Sequence, residues 1–414
     1  MDVKEHAKYT VSLSSAFRPG APINKLALFA GRSEQVQDIL STVVQPGRHV
    51  ILYGERGVGK TSLASVLSDI LAGNKVQLVQ AAKLTCDGTS TFSSIWRELF
   101  RELSIVLPAK ALGFLKNERQ TTLRLDELLP ENVTPNDIRY VLQRINVRLL
   151  LIIDEVDRIR DREVTALLAD TIKILSDHAV NTTIILVGVA DSVDQLIAEH
   201  HSIERALQQV PVPRMSMDEL LEILDKGYKQ AGMKITHEAM HYIAWLSQGL
   251  PHYTHLLGLH SGQRALSDDR LEVNWDDVKA AIRGTVAKAG SVLSDYYRAV
   301  NSPQKNLYEQ VLLACSLAPK DQLGFFTASD VREPMSAIMR KRYDIPAFSR
   351  HLYDFCEDDR GPILQKTGDK WRYRFRFLNP LMQPFVVIHG LSAGLVPDEY
   401  IRMADPDLLK PRDD

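Results

Sequence analysis

Residues 54–61 read Gly-Glu-Arg-Gly-Val-Gly-Lys-Thr, and this octapeptide constrains the fold more than any other stretch of the chain. The five residues before it, His49 to Tyr53, form a short apolar, β-branched run that predicts a buried strand. Ser62 to Leu67 continue as a helix. Strand, glycine-rich loop and helix in that order are the setting in which such a loop cradles phosphate. Gly54, Gly57 and Gly59 let backbone N–H groups turn inward around phosphate oxygens, where a Cβ would block the approach. Lys60 would reach the β- and γ-phosphates, the Thr61 hydroxyl would hold Mg²⁺, and the helix N-terminus adds partial positive charge. The expected nucleotide contacts are therefore Gly54, Glu55, Arg56, Gly57, Val58, Gly59, Lys60, Thr61 and Ser62. The alternative is a glycine turn before an ordinary helix.

A second stretch supplies carboxylates. Leu149 to Ile153 is an unbroken apolar run, as expected of a parallel strand covered on both faces, and it ends in Asp154-Glu155-Val156-Asp157. A carboxylate at the end of such a strand, beside a phosphate loop, holds Mg²⁺, and one directly after it polarises the attacking water. Asp154 is thus the expected magnesium carboxylate and Glu155 the general base, with Asp157 a lesser candidate. Read without the loop upstream, the same residues are a solvated, charge-rich helix start.

Further strands are expected at Lys75–Gln80, Thr182–Val189 and Val210–Val212, and helices from Leu28 to Val44 (with Val36, Ile39, Leu40 and Val43 at helical spacing), at Phe92–Leu107 and at Ile138–Ile145. Alternating strands and helices give an α/β fold with a parallel sheet. From Met217 to about Leu266 the pattern is helical, punctuated at Gly232 and at Gln248-Gly249-Leu250-Pro251, and a second set of helices runs from Trp275 to about Val300. After Ser302-Pro303 come helices at Leu307–Leu317, Ser329–Arg340 and Ile345–Phe355, then a hairpin of Ile363–Lys366 and Lys370–Phe377 about a Gly turn. Three helices and a hairpin make a winged-helix plan. The expected organisation is an N-terminal arm (1–26) without clear periodicity, a P-loop core (27–213), an all-α lid (214–300), a winged-helix domain (301–390) and a tail (391–414).

The 414 residues carry a net charge of −2, so any binding of nucleic acid or membrane must come from a local patch. The hairpin offers one: Lys370, Arg372, Arg374 and Arg376 alternate with Trp371, Tyr373, Phe375 and Phe377, placing cations on one face and aromatics on the other. The basic face suits a duplex DNA backbone, aided by Arg340-Lys341-Arg342, or is a solvated edge strand. The expected recognition helix, Pro346–Phe355, offers chiefly Arg350 and His351. Three scattered cysteines form no C-x-x-C pair, which suits a reducing compartment. The N-terminus has no apolar core and no apolar run approaches a membrane span, so a cytoplasmic protein without membrane contact is expected.

Several stretches together resemble the AAA+ superfamily, and within it the initiator and STAND-like branch of ATPases. They are Phe29-Ala30-Gly31-Arg32, GERGVGKT, LLLIIDEVD, ILVGVADS, SQGLPHY and YRFRFLNPLMQPF, spanning about residues 28 to 385. The resemblance implies ATP and Mg²⁺ as ligands, with Phe29–Arg32 near the adenine and Asp191 at a γ-phosphate sensor position. It also implies Arg205 as an arginine finger acting in a neighbouring copy, hence a homo-oligomer, with Arg214 as the rival finger. Gly249-Leu250-Pro251 resembles a lid element whose Pro251 contacts nucleotide. His252 and His255 would face the phosphates or pack as ordinary core histidines. The implied activity is ATP hydrolysis coupled to DNA or a protein partner. The alternative is a nucleotide switch with little turnover whose winged helix docks a protein or autoinhibits.

Overall fold

In the computed structural model, the described residues are 1–21, 26–72, 79–107, 121–189, 203–287, 290–302, 306–369, 372–397 and 400. Helix α1 (Val3–Ala16) comes first, capped by the Asp2 side chain, which accepts from the Glu5 N–H. This corrects the reading of residues 1–26 as an arm without periodicity. Leu13, Ala16 and Phe17 are buried, and they enter a row of small residues that no local pattern reveals. A Cβ on Gly262 would lie 2.7 Å from Leu13 Cδ1, and one on Gly258 would lie 2.7 Å from Phe17 Cε1. Glycine is used here for close approach.

Helix α2 (Ser33–Val43) leads into strand β1 (His49–Tyr53), and helix α3 (Lys60–Ala72) follows the loop. Strand β2 (Val79–Thr85) begins later than expected, and residues 75–78 of that expectation lie outside the described residues. Helix α4 (Phe92–Arg101) opens with a reciprocal Thr91/Ser94 capping box and buries Phe92, Ile95, Trp96, Leu99 and Phe100. It does not run on to Leu107: Ser104–Leu107 is strand β3, antiparallel to β4 (Thr121–Arg124). The β-branched pair Ile105-Val106 fits a ladder, and its partner strand was not legible locally.

Helix α5 (Pro135–Leu142), strand β5 (Arg148–Asp154), helix α6 (Arg162–Asp177), strand β6 (Thr182–Gly188) and strand β7 (Leu207–Pro211) complete the core. The sheet is parallel, in the order β2-β5-β6-β1-β7. Leu149 to Ile153 are fully buried because helices cover both faces. The loop after β1 and the carboxylates after β5 therefore stand at the same, carboxyl end of the sheet, with β6 between them.

Beyond it lie α7 (Met217–Ala231), β8 (Lys234–Ile235), α8 (His237–Leu246), α9 (Pro251–Ser267), β9 (Glu272–Val273), α10 (Trp275–Ala287) and α11 (Gly290–Val300). Helix α7 has a Ser216/Glu219 capping box and ends at Gly232, whose φ of 71° needs no Cβ. Next come α12 (Tyr308–Leu317), β10 (Phe326–Thr327), α13 (Ala328–Met339), α14 (Ser349–Asp354), β11 (Leu364–Thr367), β12 (Arg374–Phe377) and α15 (Met382–Ser392). The expected third helix is shortened, because Ile345–Ala347 form a separate 3-10 turn. The hairpin gains an unforeseen edge partner, giving an antiparallel sheet in the order β10-β12-β11. One apolar core runs without a break from Leu13 and Phe17 through the helices after Met215 to Phe375, Phe377 and Phe385. Among the described residues, no helix is long and apolar enough to cross a membrane.

Candidate nucleotide site

A cleft of about 700 Å³ opens at the carboxyl end of the sheet. Its floor is the loop Arg56 to Ser62, one side is Asp154, Glu155, Asp157 and Arg158, and the other carries Pro251, His252 and His255 at the start of α9. The far end is apolar, from Leu28, Phe29, Ala30, Met215 and Ile223, with Arg18–Ala21 along its edge. Leu381, at the start of the segment that becomes α15, also reaches this wall, and a Cβ on Gly57 would sit 3.6 Å from its Cδ2.

The loop closes on itself. Lys60 is 8% exposed and donates to the carbonyls of Gly54 (3.0 Å) and Glu55 (2.7 Å). Burial pushes its ammonium down to about 8, with Asp157 and Asp154 opposing the shift. Beneath the loop, Arg32 donates to the carbonyls of Val58 (3.0 Å) and Pro213 (2.6 Å), bracing it against the end of the sheet. Phe29, Ala30 and Arg32 all line the cleft.

Asp154 is 2% exposed; its Oδ1 accepts from the Glu155 N–H at 2.9 Å, while Oδ2 is buried without a hydrogen bond. A carboxylate oxygen without a hydrogen bond and the Thr61 hydroxyl, both on residues lining the cleft, are hard-oxygen donors that fit Mg²⁺ completed by phosphate oxygens and water. Lys83, from the interior of β2, stands 3.4 Å from that Oδ2. Sequence reasoning missed it, because the strand was expected to end at Gln80 and Lys83 fell beyond it. Glu155 adopts a left-handed backbone (φ 54°), uncommon for a residue with a Cβ, and its carboxylate accepts from Arg158 at 2.9 Å. Asp157 accepts from the Val189 N–H at 2.7 Å.

Three expectations change. Glu55 does not face the cleft: its side chain is 1% exposed and pairs with Arg214 at 2.5 Å. Only its backbone carbonyl serves the loop, through Lys60. Arg214 is accordingly held inside its own chain, donating also to Gln248 O (3.1 Å) and Gln383 Oε1 (2.6 Å), which is no position for an arginine finger. Gln383 in turn donates to Ser316 O (2.8 Å), so loop, lid turn and C-terminal helices meet in one buried polar junction. Finally, the basic hairpin face is partly spent. Arg374 pairs with Asp321 at 3.3 Å, and Arg374 and Arg376 both lie 4.7 Å over the Phe325 ring. Arg372 is exposed, whereas Lys370 lies outside the described residues. His351 packs edge-on to Tyr308, with ring centroids 4.7 Å apart.

Pro251 does lie on the loop, its Cγ 3.8 Å from where a Gly59 Cβ would be. His252 meets the Pro19 carbonyl at 2.7 Å and His255 packs 5.9 Å from the Phe17 ring. Burial pushes His255 down to about 4 and lowers His252 as well. Arg205 is exposed at the amino end of β7, across the sheet from the cleft. Asp191 lies outside the described residues.

Residues 44–197 match the family model described as an AAA domain. This stretch is an AAA domain. No curated protein matches the chain in sequence. Among solved structures, the Walker-type ATPase PABY2304 of Pyrococcus abyssi has a TM-score of 0.51 at 16% identity, covering 89% of this chain and 98% of its own. The ORC1 protein of Aeropyrum pernix, solved in complex with DNA, aligns over 97% of either chain at 13% identity and a TM-score of 0.48. Cdc6p of Pyrobaculum aerophilum covers 92% of this chain and 98% of its own at 15% identity and a TM-score of 0.45. The AAA domain contributes the loop and the carboxylates, while lid and C-terminal residues outside it finish the cleft.

Proposed function

We propose that the chain binds Mg-ATP in this cleft and hydrolyses it, and that the nucleotide state sets how the lid and a C-terminal winged-helix domain sit on the AAA domain. The observation that carries this is convergence: Arg56–Ser62, Asp154, Glu155, Pro251 and Leu381 line one cleft. In this reading Lys60 neutralises the β- and γ-phosphates, and Thr61 and Asp154 hold Mg²⁺, which stabilises the charge developing on the transferred phosphoryl group. Glu155 orients and polarises the attacking water once its carboxylate leaves Arg158. Arg205 acts in trans in a homo-oligomer, consistent with its exposure. The output is contact with duplex DNA, through Lys370, Arg372, Arg374 and Arg376, or with a protein partner. Because Arg374 and Arg376 are already engaged, backbone contact suits this face better than base reading.

A second reading, a switch with little turnover whose winged helix docks a protein, is favoured by one observation. Glu155 is paired with Arg158, and Leu381 stands on the cleft wall, as in a closed resting state. Steady-state hydrolysis across protein concentration separates the two, with and without duplex DNA at two salt levels. Turnover rising more than linearly with concentration, responding to DNA at low salt and lost in Glu155→Gln and Arg205→Ala supports the first reading. Binding with flat, negligible turnover that rises severalfold in Arg158→Ala supports the second. Absence of nucleotide binding in the wild type defeats both.

A further inference from the structure

Lys83 sits between Ala82 and Leu84 in β2, the edge strand of the central sheet, and its ammonium group reaches the carboxylate that ends the neighbouring strand β5. Its Nζ lies 3.4 Å from Asp154 Oδ2 and donates to Ser65 Oγ at 3.0 Å. The Ser65 hydroxyl donates to the Thr61 carbonyl at 2.8 Å. The side chains of Lys83 and Asp154 are 29% and 3% exposed, so the pair is partly wet on the lysine side and dry on the carboxylate side. Lys60 also attracts Asp154 electrostatically, but its hydrogen bonds go to the carbonyls of its own loop. Without Lys83 the Asp154 carboxylate would be a buried charge with a single hydrogen bond.

We propose that Lys83 is a positioning residue that acts as a built-in counter-cation for Asp154, setting the affinity of the site for Mg²⁺. It keeps the carboxylate paired and aimed while no divalent cation is bound. Once Mg²⁺ arrives, the two cations share one carboxylate and repel one another, so Lys83 holds magnesium affinity down. Through Ser65 it also links that carboxylate to the first turn of α3, which carries Thr61. The proposal rests on the reading of Asp154 as the magnesium carboxylate.

The test is a MgCl₂ titration of the full chain with a fluorescent, non-hydrolysable ATP analogue at fixed concentration, beside binding of the same analogue in EDTA. Lys83→Met is expected to lower the Mg²⁺ midpoint on the order of tenfold. Lys83→Arg, which retains the charge, is expected to keep the wild-type midpoint, and Asp154→Asn to raise it. A purely structural lysine would alter melting temperature and EDTA binding but not this midpoint. If Lys83→Met matches or exceeds the wild-type midpoint while Asp154→Asn raises it, the counter-cation role is wrong and the metal reading stands. If Asp154→Asn leaves the midpoint unchanged, the metal reading itself falls, and the proposal with it.

Discussion

Glu55 and Arg214 form the most buried ion pair next to the cleft, with side chains 1% and 12% exposed and an Nε–Oε2 distance of 2.5 Å. Replacing Arg214 by Met leaves a carboxylate of almost no exposure without its cation and removes the bonds to Gln248 and Gln383 as well. Losing one partner of such a pair costs about 3–5 kcal/mol, because the remaining charge stays desolvated. Glu55→Met should cost less, about 2–3 kcal/mol, since Arg214 keeps its two other acceptors and some solvent. The double variant should be less destabilised than the sum of the singles by about 2 kcal/mol or more, because it strands neither member of the pair. Urea unfolding of all four proteins, followed by circular dichroism, measures the cycle. A coupling below about 0.5 kcal/mol would refute the junction. So would an Arg214→Met protein as stable as wild type that loses only concentration-dependent hydrolysis, which would restore Arg214 as a finger.

Two further outcomes follow from other positions. Burial, with Arg48 nearby, pushes the His49 imidazole from its ordinary 6.5 to about 3, and its Nδ1 accepts from the Ile184 N–H at 3.0 Å. The unfolded ring takes a proton that the folded ring refuses, so this stability is complete above the unfolded value of 6.5 and drains away as pH falls toward 3. The loss should reach about 2 kcal/mol by pH 5, and it should vanish from the pH dependence of urea unfolding in His49→Asn. Gly258→Ala places a methyl group 2.7 Å from Phe17 Cε1 and should detach α1 from the lid. Trypsin should then cut at Lys4 or Lys8 several times faster, while the circular dichroism of the remainder holds; unchanged cleavage would mean that Phe17 relocates without cost.

Residues 54–62 and 149–155 were legible as they stand, because phosphate loops and covered parallel strands are local chemistry. A glycine pattern states its backbone, and an apolar run ending in carboxylates states its burial. The same holds for the alternation of Arg374 and Arg376 with Phe375 and Phe377. What depended on partners distant in the chain was not legible. Helix α1 owes its place to Gly227, Gly258 and Gly262, more than two hundred residues away, and β3 owes its conformation to β4. The direction of the Glu55 side chain was decided by Arg214, Gln383 and the glycine at 324, which leaves room for its carboxylate. Glu155 was legible as a carboxylate at the end of a covered strand, but its pairing with Arg158 depends on a left-handed backbone that only the folded turn imposes. The sequence by itself determined a phosphate loop on a parallel sheet with carboxylates after another strand, since each is specified within about ten residues. Only the tertiary structure decided which charges face the cleft and which are paired away from it, because a buried charge takes whatever partner the packing brings within reach.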